Sequence, residues 1–146
     1  MGEIIARMQS LLRLLLRNGS HRLLDETSET AARVIANPLA VEQIFVNLVL
    51  NSIEASVSAI TIRFSSSQTD KLLRVLVEDD GPGIAPEHRA QLFEPFFTTK
   101  KDGTGIGLSA ARESARAVGG EVELVRWTEG AAFAVFLPIA NSERAL

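Results

Sequence analysis

A chain of 146 residues, 46% of them hydrophobic, is long enough for one compact domain with its own core. Its 15 basic and 18 acidic side chains give a net charge of −3, which argues against a nucleic-acid partner or direct membrane contact through broad positive charge; an anionic ligand must be held by local features. The absence of cysteine excludes a disulfide scaffold, a thiolate zinc site and a thiol nucleophile.

From the N-terminus, Glu3 to Arg17 has helical spacing: Ile4, Met8, Leu11, Leu12 and Leu15 form a stripe, widened by Ile5, Leu14 and Leu16, and Asn18-Gly19 is its stop signal. The leucine run from Leu11 to Leu16 is broken by Arg13, too short and too charged to span a bilayer or act as a signal, so a cytoplasmic module is expected. Two short strands follow, around His21 to Asp25 and Ala32 to Ile35. Asn37-Pro38 starts a helix, with Asn37 as N-cap, that runs to about Ala55 and puts Val41, Ile44, Phe45, Leu48 and Ile53 on a core face. Ala59 to Ser65 and Leu72 to Glu78 read as an antiparallel hairpin around the turn Ser66 to Asp70.

Asp79 to Gly83 ends the second strand in a tight bend, and Pro86 to Leu92 is a short helix. The segment Phe93 to Leu108, FEPFFTTKKDGTGIGL, joins an apolar stretch to a basic loop and then to three alternating glycines that open a helix over Ser109 to Val118. Glu121 to Trp127 and Ala131 to Leu137 form a last hairpin with Glu129-Gly130 in its turn, and Asn141 to Leu146 is a polar tail. Helices on one side and antiparallel pairs on the other predict an α/β two-layer sandwich: a mixed, largely antiparallel sheet covered on one face by helices. No linker divides residues 1–146, which read as a single domain, with residues 1–30 as an N-terminal helix and lead-in.

Three places carry chemistry. Thr104 to Leu108 can lay backbone N–H groups against phosphate oxygens, because Gly103, Gly105 and Gly107 have no Cβ to keep a ligand away and a helix dipole begins there. No Lys follows the glycines as a Walker loop requires. Nor do they follow a strand directly, as a dinucleotide fingerprint would; the polar run Thr98 to Asp102 precedes them. Asn47 and Asn51, four apart on one helix face, are either Mg²⁺ ligands beside phosphates or hydrogen-bonding amides at the core edge. Asp79, in Asp79-Asp80-Gly81-Pro82-Gly83, is either an acceptor for the exocyclic amine of a base, with Gly81 and Gly83 admitting the ring, or part of an ordinary acidic turn.

In order, FVNLVLNSIEA, VEDDGPGI, LFEPFFTTK, GTGIGLS and GAAFAVFLP resemble the N box, first glycine box, F box, second glycine box and closing strand of the ATP-binding catalytic domain of sensor histidine kinases, in the GHKL superfamily. The resemblance covers about Val34 to Pro138. It implies the Bergerat ATP-binding fold and ATP with Mg²⁺ as ligands. Asn51 would supply the amide oxygen to Mg²⁺, with Asn47 nearby, and Asp79 would bind the adenine amino group, with Gly81, Gly83 and Ile84 beside the ring. Residues 94–104 would form the ATP lid, with Lys100 reaching the terminal phosphates and Thr99 beside it. Gly103, Thr104, Gly105, Ile106, Gly107 and Leu108 would form the hinge and phosphate cradle, and Phe96 and Phe97 would be apolar anchors. The family often has Thr or Ser just before the aromatic of the last strand, where this chain has Ala132 before Phe133; a lost neutral hydrogen bond there costs roughly 0.5–1.5 kcal/mol.

The family phosphorylates a histidine on a helical dimerisation domain. His21 and His88, the two histidines of this chain, do not sit in such a motif, and both read as solvated surface residues. The resemblance therefore implies a catalytic fragment, monomeric by itself, that acts on its own phosphoacceptor domain and upstream of a response regulator. The parent protein is open to being membrane-anchored. Two alternatives remain: a clamp-type ATPase of the same superfamily, in which a Glu four residues before the N-box Asn activates water (the position held here by Asn47), and a non-catalytic ATP-responsive binding module.

Overall fold

The structure, a computed structural model, describes residues 21–27, 34–55, 59–95 and 107–140, with Ala6 and Ser10 as isolated helical positions. The element order is β1 (Arg22–Glu26), α1 (Pro38–Glu54), β2 (Thr61–Gln68), β3 (Leu72–Asp79), a 3-10 helix (Pro86–Gln91), α2 (Gly107–Ala117), β4 (Glu121–Arg126) and β5 (Ala132–Pro138). The five strands make one sheet in the order β1-β2-β3-β5-β4. β1 runs parallel to β2 and every other pair is antiparallel. A parallel neighbour needs a long crossover, and α1 supplies it.

α1 starts where the sequence predicts. Asn37 is extended (φ −62°, ψ 125°) and its Oδ1 accepts the Leu39 N–H at 2.9 Å, with Pro38 in the first turn. Such a cap is worth about 0.5–2 kcal/mol. The buried stripe of α1 is Val41, Ile44, Phe45, Leu48, Val49 and Ser52. The three- and four-residue steps aim it at the sheet, so Ser52 occupies a core-facing position.

Strand alternation sets the other wall. Leu73, Val75, Val77 and Asp79 of β3 are buried while the residues between them are not, and they align with Ile62 and Phe64 on β2 and with Phe133, Val135 and Leu137 on β5. Phe45 meets Phe64 edge-on with centroids 5.8 Å apart. α1 and α2 pack on each other over this one face. The opposite face carries ion pairs, Arg63 with Glu26 at 3.2 Å and Arg126 with Glu78 at 3.6 Å.

Differences from the sequence reading have local causes. β2 continues past Ser65 because Ser66, Ser67 and Gln68 pair with Val75, Arg74 and Leu73; their polarity conceals the strand. Thr69 then closes a tighter turn, its N–H donating to Leu72 O at 2.9 Å and its hydroxyl oxygen accepting from Leu72 N. The segment after the first glycine box is a 3-10 helix, and Gly107 and Leu108 are already helical ahead of the expected Ser109. Of the strand expected over residues 32–35, Val34 makes an isolated bridge to Ile139. His21 is half-buried, and its Nδ1 accepts the Ile60 N–H at 3.2 Å, tying the start of β1 to the residue before β2. His88 is likewise half-buried. The N-terminal helix, apart from Ala6 and Ser10, lies outside the described residues.

Candidate nucleotide site

The adjacent acidic pair at the end of β3 is sorted by strand alternation. Asp80 points outward, and its Oδ1 accepts the Thr61 N–H at 2.7 Å. Asp79 continues the inward row and is only 8% exposed. Its Oδ1 accepts from Gly81 N at 3.0 Å and Ala131 N at 3.1 Å, and its Oδ2 accepts from Ser52 Oγ at 2.7 Å. A buried carboxylate is costly unless hydrogen-bonded, and these three donors offset that cost.

Two glycines build the rim. Gly130, at φ +98°, lies so close to the end of β3 that an added Cβ would come within 1.9 Å of Asp79 O. Gly83, at φ +79°, is pressed on the Trp127 carbonyl, which would stand 2.4 Å from a Cβ. The next residue, Ile84, donates its N–H to that same carbonyl at 2.9 Å. The space at Gly83 is thus taken by protein backbone; its side chain is missing to let the loop dock on Trp127. Gly81 is half-buried and contributes its N–H to Asp79.

On α1, Asn47 and Asn51 are both half-buried. Asn47 Oδ1 accepts from Gln43 Nε2 at 3.3 Å, so its amide oxygen is engaged along the helix. Asn51 precedes Ser52, the residue of α1 that bonds the Asp79 carboxylate. No three His, Asp or Glu side chains among the described residues form a cluster able to hold a metal ion. A cation here would draw on neutral amide oxygen and on phosphate, which suits Mg²⁺ with its retained waters.

α2 brings the end of the glycine segment to the same core. Leu108 and Ser109 are buried, and among the described residues nothing lies within 4 Å of where a Cβ on Gly107 would be. Phe97, Thr99, Lys100, Gly103, Thr104, Gly105 and Ile106, with Phe96, lie outside the described residues. At the near end of that segment, Phe93 packs edge-on against Phe133, centroids 6.1 Å apart, and the Arg112 guanidinium carbon sits 4.4 Å from the Phe93 ring centroid. An open groove of about 720 Å³ runs between the 3-10 helix, Phe93, α2 and β4, with Arg89 stacked over Trp127 at 4.3 Å.

The sequence reading missed Ser52 and the Arg112–Glu121 pair, and named Gly130 only as a turn residue. Ser52 has a legible signal, a hydroxyl four residues after Leu48 on the apolar stripe. On the last strand, the residue that meets the acid is Ala131, one before the Ala132 noted in the sequence. Ala131 exchanges two hydrogen bonds with Asp79, whereas Ala132 pairs with Glu78. Among the described residues no helix is long and apolar enough to cross a membrane.

Known proteins share this arrangement. The family model described as histidine kinase-, DNA gyrase B-, and HSP90-like ATPase matches residues 36–141. The sensor histidine kinase ZraS of Salmonella typhi is 37% identical over 115 residues, which take in 77% of this chain and 24% of that protein. The catalytic domain of histidine kinase ThkA superposes with a TM-score of 0.82 at 32% identity, covering 94% of this chain and 91% of that one. Histidine kinase ThkA in complex with response regulator protein TrrA gives 0.79 at 29% identity, over 99% of this chain and 42% of that one. The chain spans about a quarter of the length of the curated relatives it matches. Fold, motif order and matches together place the chain in the family of histidine kinase-, DNA gyrase B-, and HSP90-like ATPases.

Proposed function

We propose that the chain binds Mg-ATP and donates its γ-phosphate to a histidine on a separate dimerisation domain of a two-component sensor kinase, with a response regulator downstream. The observation that carries this reading is the bonding of Asp79. A carboxylate offers about four acceptor sites. Three are taken by Gly81, Ala131 and Ser52, leaving one for the exocyclic amine of adenine. Guanine presents a carbonyl at that position and would meet acceptor with acceptor.

The chain's remaining residues then have roles by position. Asn51 would hold Mg²⁺ through its amide oxygen, while Asn47 stays bonded to Gln43. Bound there, the metal would neutralise phosphate charge. The N–H groups of α2 at Gly107 and Leu108 are assigned to the phosphate oxygens by the motif match and the helix dipole. Lys100, Thr99, Phe97 and the stretch Gly103 to Ile106 are assigned to the lid and phosphate cradle on the motif match alone. Chemistry of this kind needs positioning and charge stabilisation more than covalent help, and the partner domain brings its His in line. A clamp ATPase would need a carboxylate at Asn47, where the amide is a poor general base.

The test is incubation with γ-labelled ATP and Mg²⁺, with and without the dimerisation domain of a related sensor kinase. Binding with almost no release or self-labelling, and label transfer once the acceptor is added, supports the reading; Asn51→Ala should abolish transfer. Steady phosphate release without an acceptor, lost in Asn51→Ala, would replace it with a hydrolase.

A further inference from the structure

Arg112 joins the two chain segments that flank the glycine loop. It lies on α2, five residues after Gly107, with its guanidinium over the ring of Phe93. The same side chain is fixed from behind, since Arg112 Nε donates to Glu121 Oε1 at 2.9 Å. Glu121 is itself held by Arg116 Nε at 3.1 Å and by the Val122 N–H at 2.9 Å. Arg112 and Glu121 are 29% and 30% exposed, so the pair is partly shielded from solvent. A guanidinium can bond in its plane and stack through its face at once.

The rest of α2 gives a reason for such a clasp. Its buried face is Leu108, Ser109, Ala111 and Ala115. Apart from Leu108 these side chains are short, so the face itself has few long side chains to fix its axial position. The helix is pinned instead by Arg112 and Arg116 on Glu121 of β4. Phe93, against the other face of Arg112, rests on Phe133, which lies in β5 two residues after Ala131, the partner of Asp79. The base-binding end and the start of α2 are therefore referenced to the same strand.

Resting on the ATP reading above, we propose that Arg112, locked by Glu121 and stacked on Phe93, is a positioning residue that sets the distance between Asp79 and the first described turn of α2, and so the fit of the phosphate chain relative to the base.

A general loss of stability would weaken all ligands alike. A positioning role separates adenosine, which uses the Asp79 end alone, from ATP, which uses both ends. Calorimetric titration of the folded chain with adenosine and with Mg-ATP should show Arg112→Ala weakening ATP about five- to tenfold while adenosine stays within about twofold. Arg112→Lys, which keeps a cation over the ring, should recover part of the loss. Should Arg112→Ala fail to fold, Phe93→Leu removes the ring face while keeping apolar bulk, and the same split is expected. Equal loss of both ligands, or unchanged ATP binding in a folded variant, overturns the proposal. A wild-type chain that binds neither ligand overturns the ATP reading itself, whereas wild-type binding of both, sensitive to Asp79→Asn but not to Arg112→Ala, overturns the positioning role alone.

Discussion

Ser52 Oγ lies 2.7 Å from Asp79 Oδ2, a buried hydrogen bond across 27 residues of sequence that ties α1 to the end of β3. It holds the carboxylate from the helix side while Gly81 and Ala131 hold it from the backbone. Ser52→Ala should cost about 1–3 kcal/mol, because a buried charged acceptor loses a donor and no water readily replaces it. Urea unfolding of the variant measures this directly. A change below a few tenths of a kcal/mol would mean the bond contributes nothing net.

Gly130→Ala places a methyl group against the carbonyl of Asp79 in a backbone conformation that L-residues avoid. The expected cost is about 2 kcal/mol or more, seen as a thermal midpoint several degrees lower. Nucleotide affinity should fall with it, since the end of β3 has to move. An unshifted midpoint would show that the turn relaxes freely.

Acid should weaken the attachment of α2 through Glu121. Burial alone raises its pKa, but hydrogen bonds from Arg112, the Val122 N–H and Arg116, with the Arg112 charge, outweigh that and hold the carboxyl below its ordinary 4.5. A folded-state pKa below the unfolded one adds stability that is complete above 4.5 and is lost as pH falls through the lower folded value. The stability difference between wild type and Glu121→Gln should therefore be largest near neutrality and shrink below pH 4.5. A gap that stays constant from pH 6 to about 3 would rule out this contribution.

Much of this architecture is legible in the residues because local signals and the core pattern agree. Asn37-Pro38 marks the start of α1, alternation through Leu73, Val75 and Val77 marks β3, and Glu129-Gly130 marks the last turn. Pairing partners are less legible. That β1 lies parallel beside β2, or that β5 separates β3 from β4, follows from the crossover and the shared core rather than from any one segment. The site splits the same way. Asp79 and Asn51 stand out by motif; Ser52 shows as a hydroxyl on an apolar stripe, but its partner is fixed only once α1 is laid over β3. Arg112 and Glu121 read as ordinary surface charges until α2 and β4 are side by side. Gly83 shows a further limit, since the residue type was legible but its close approach to the Trp127 carbonyl was not.

The central claim is that Asp79 recognises adenine, and nucleotide discrimination tests it most directly. Titration of wild type and Asp79→Asn with Mg-ATP and Mg-GTP should show wild type preferring ATP. The variant should lose most of its ATP affinity while its weaker GTP binding changes little. Equal affinity of wild type for the two nucleotides, or a proportional loss of both in Asp79→Asn, would contradict the account.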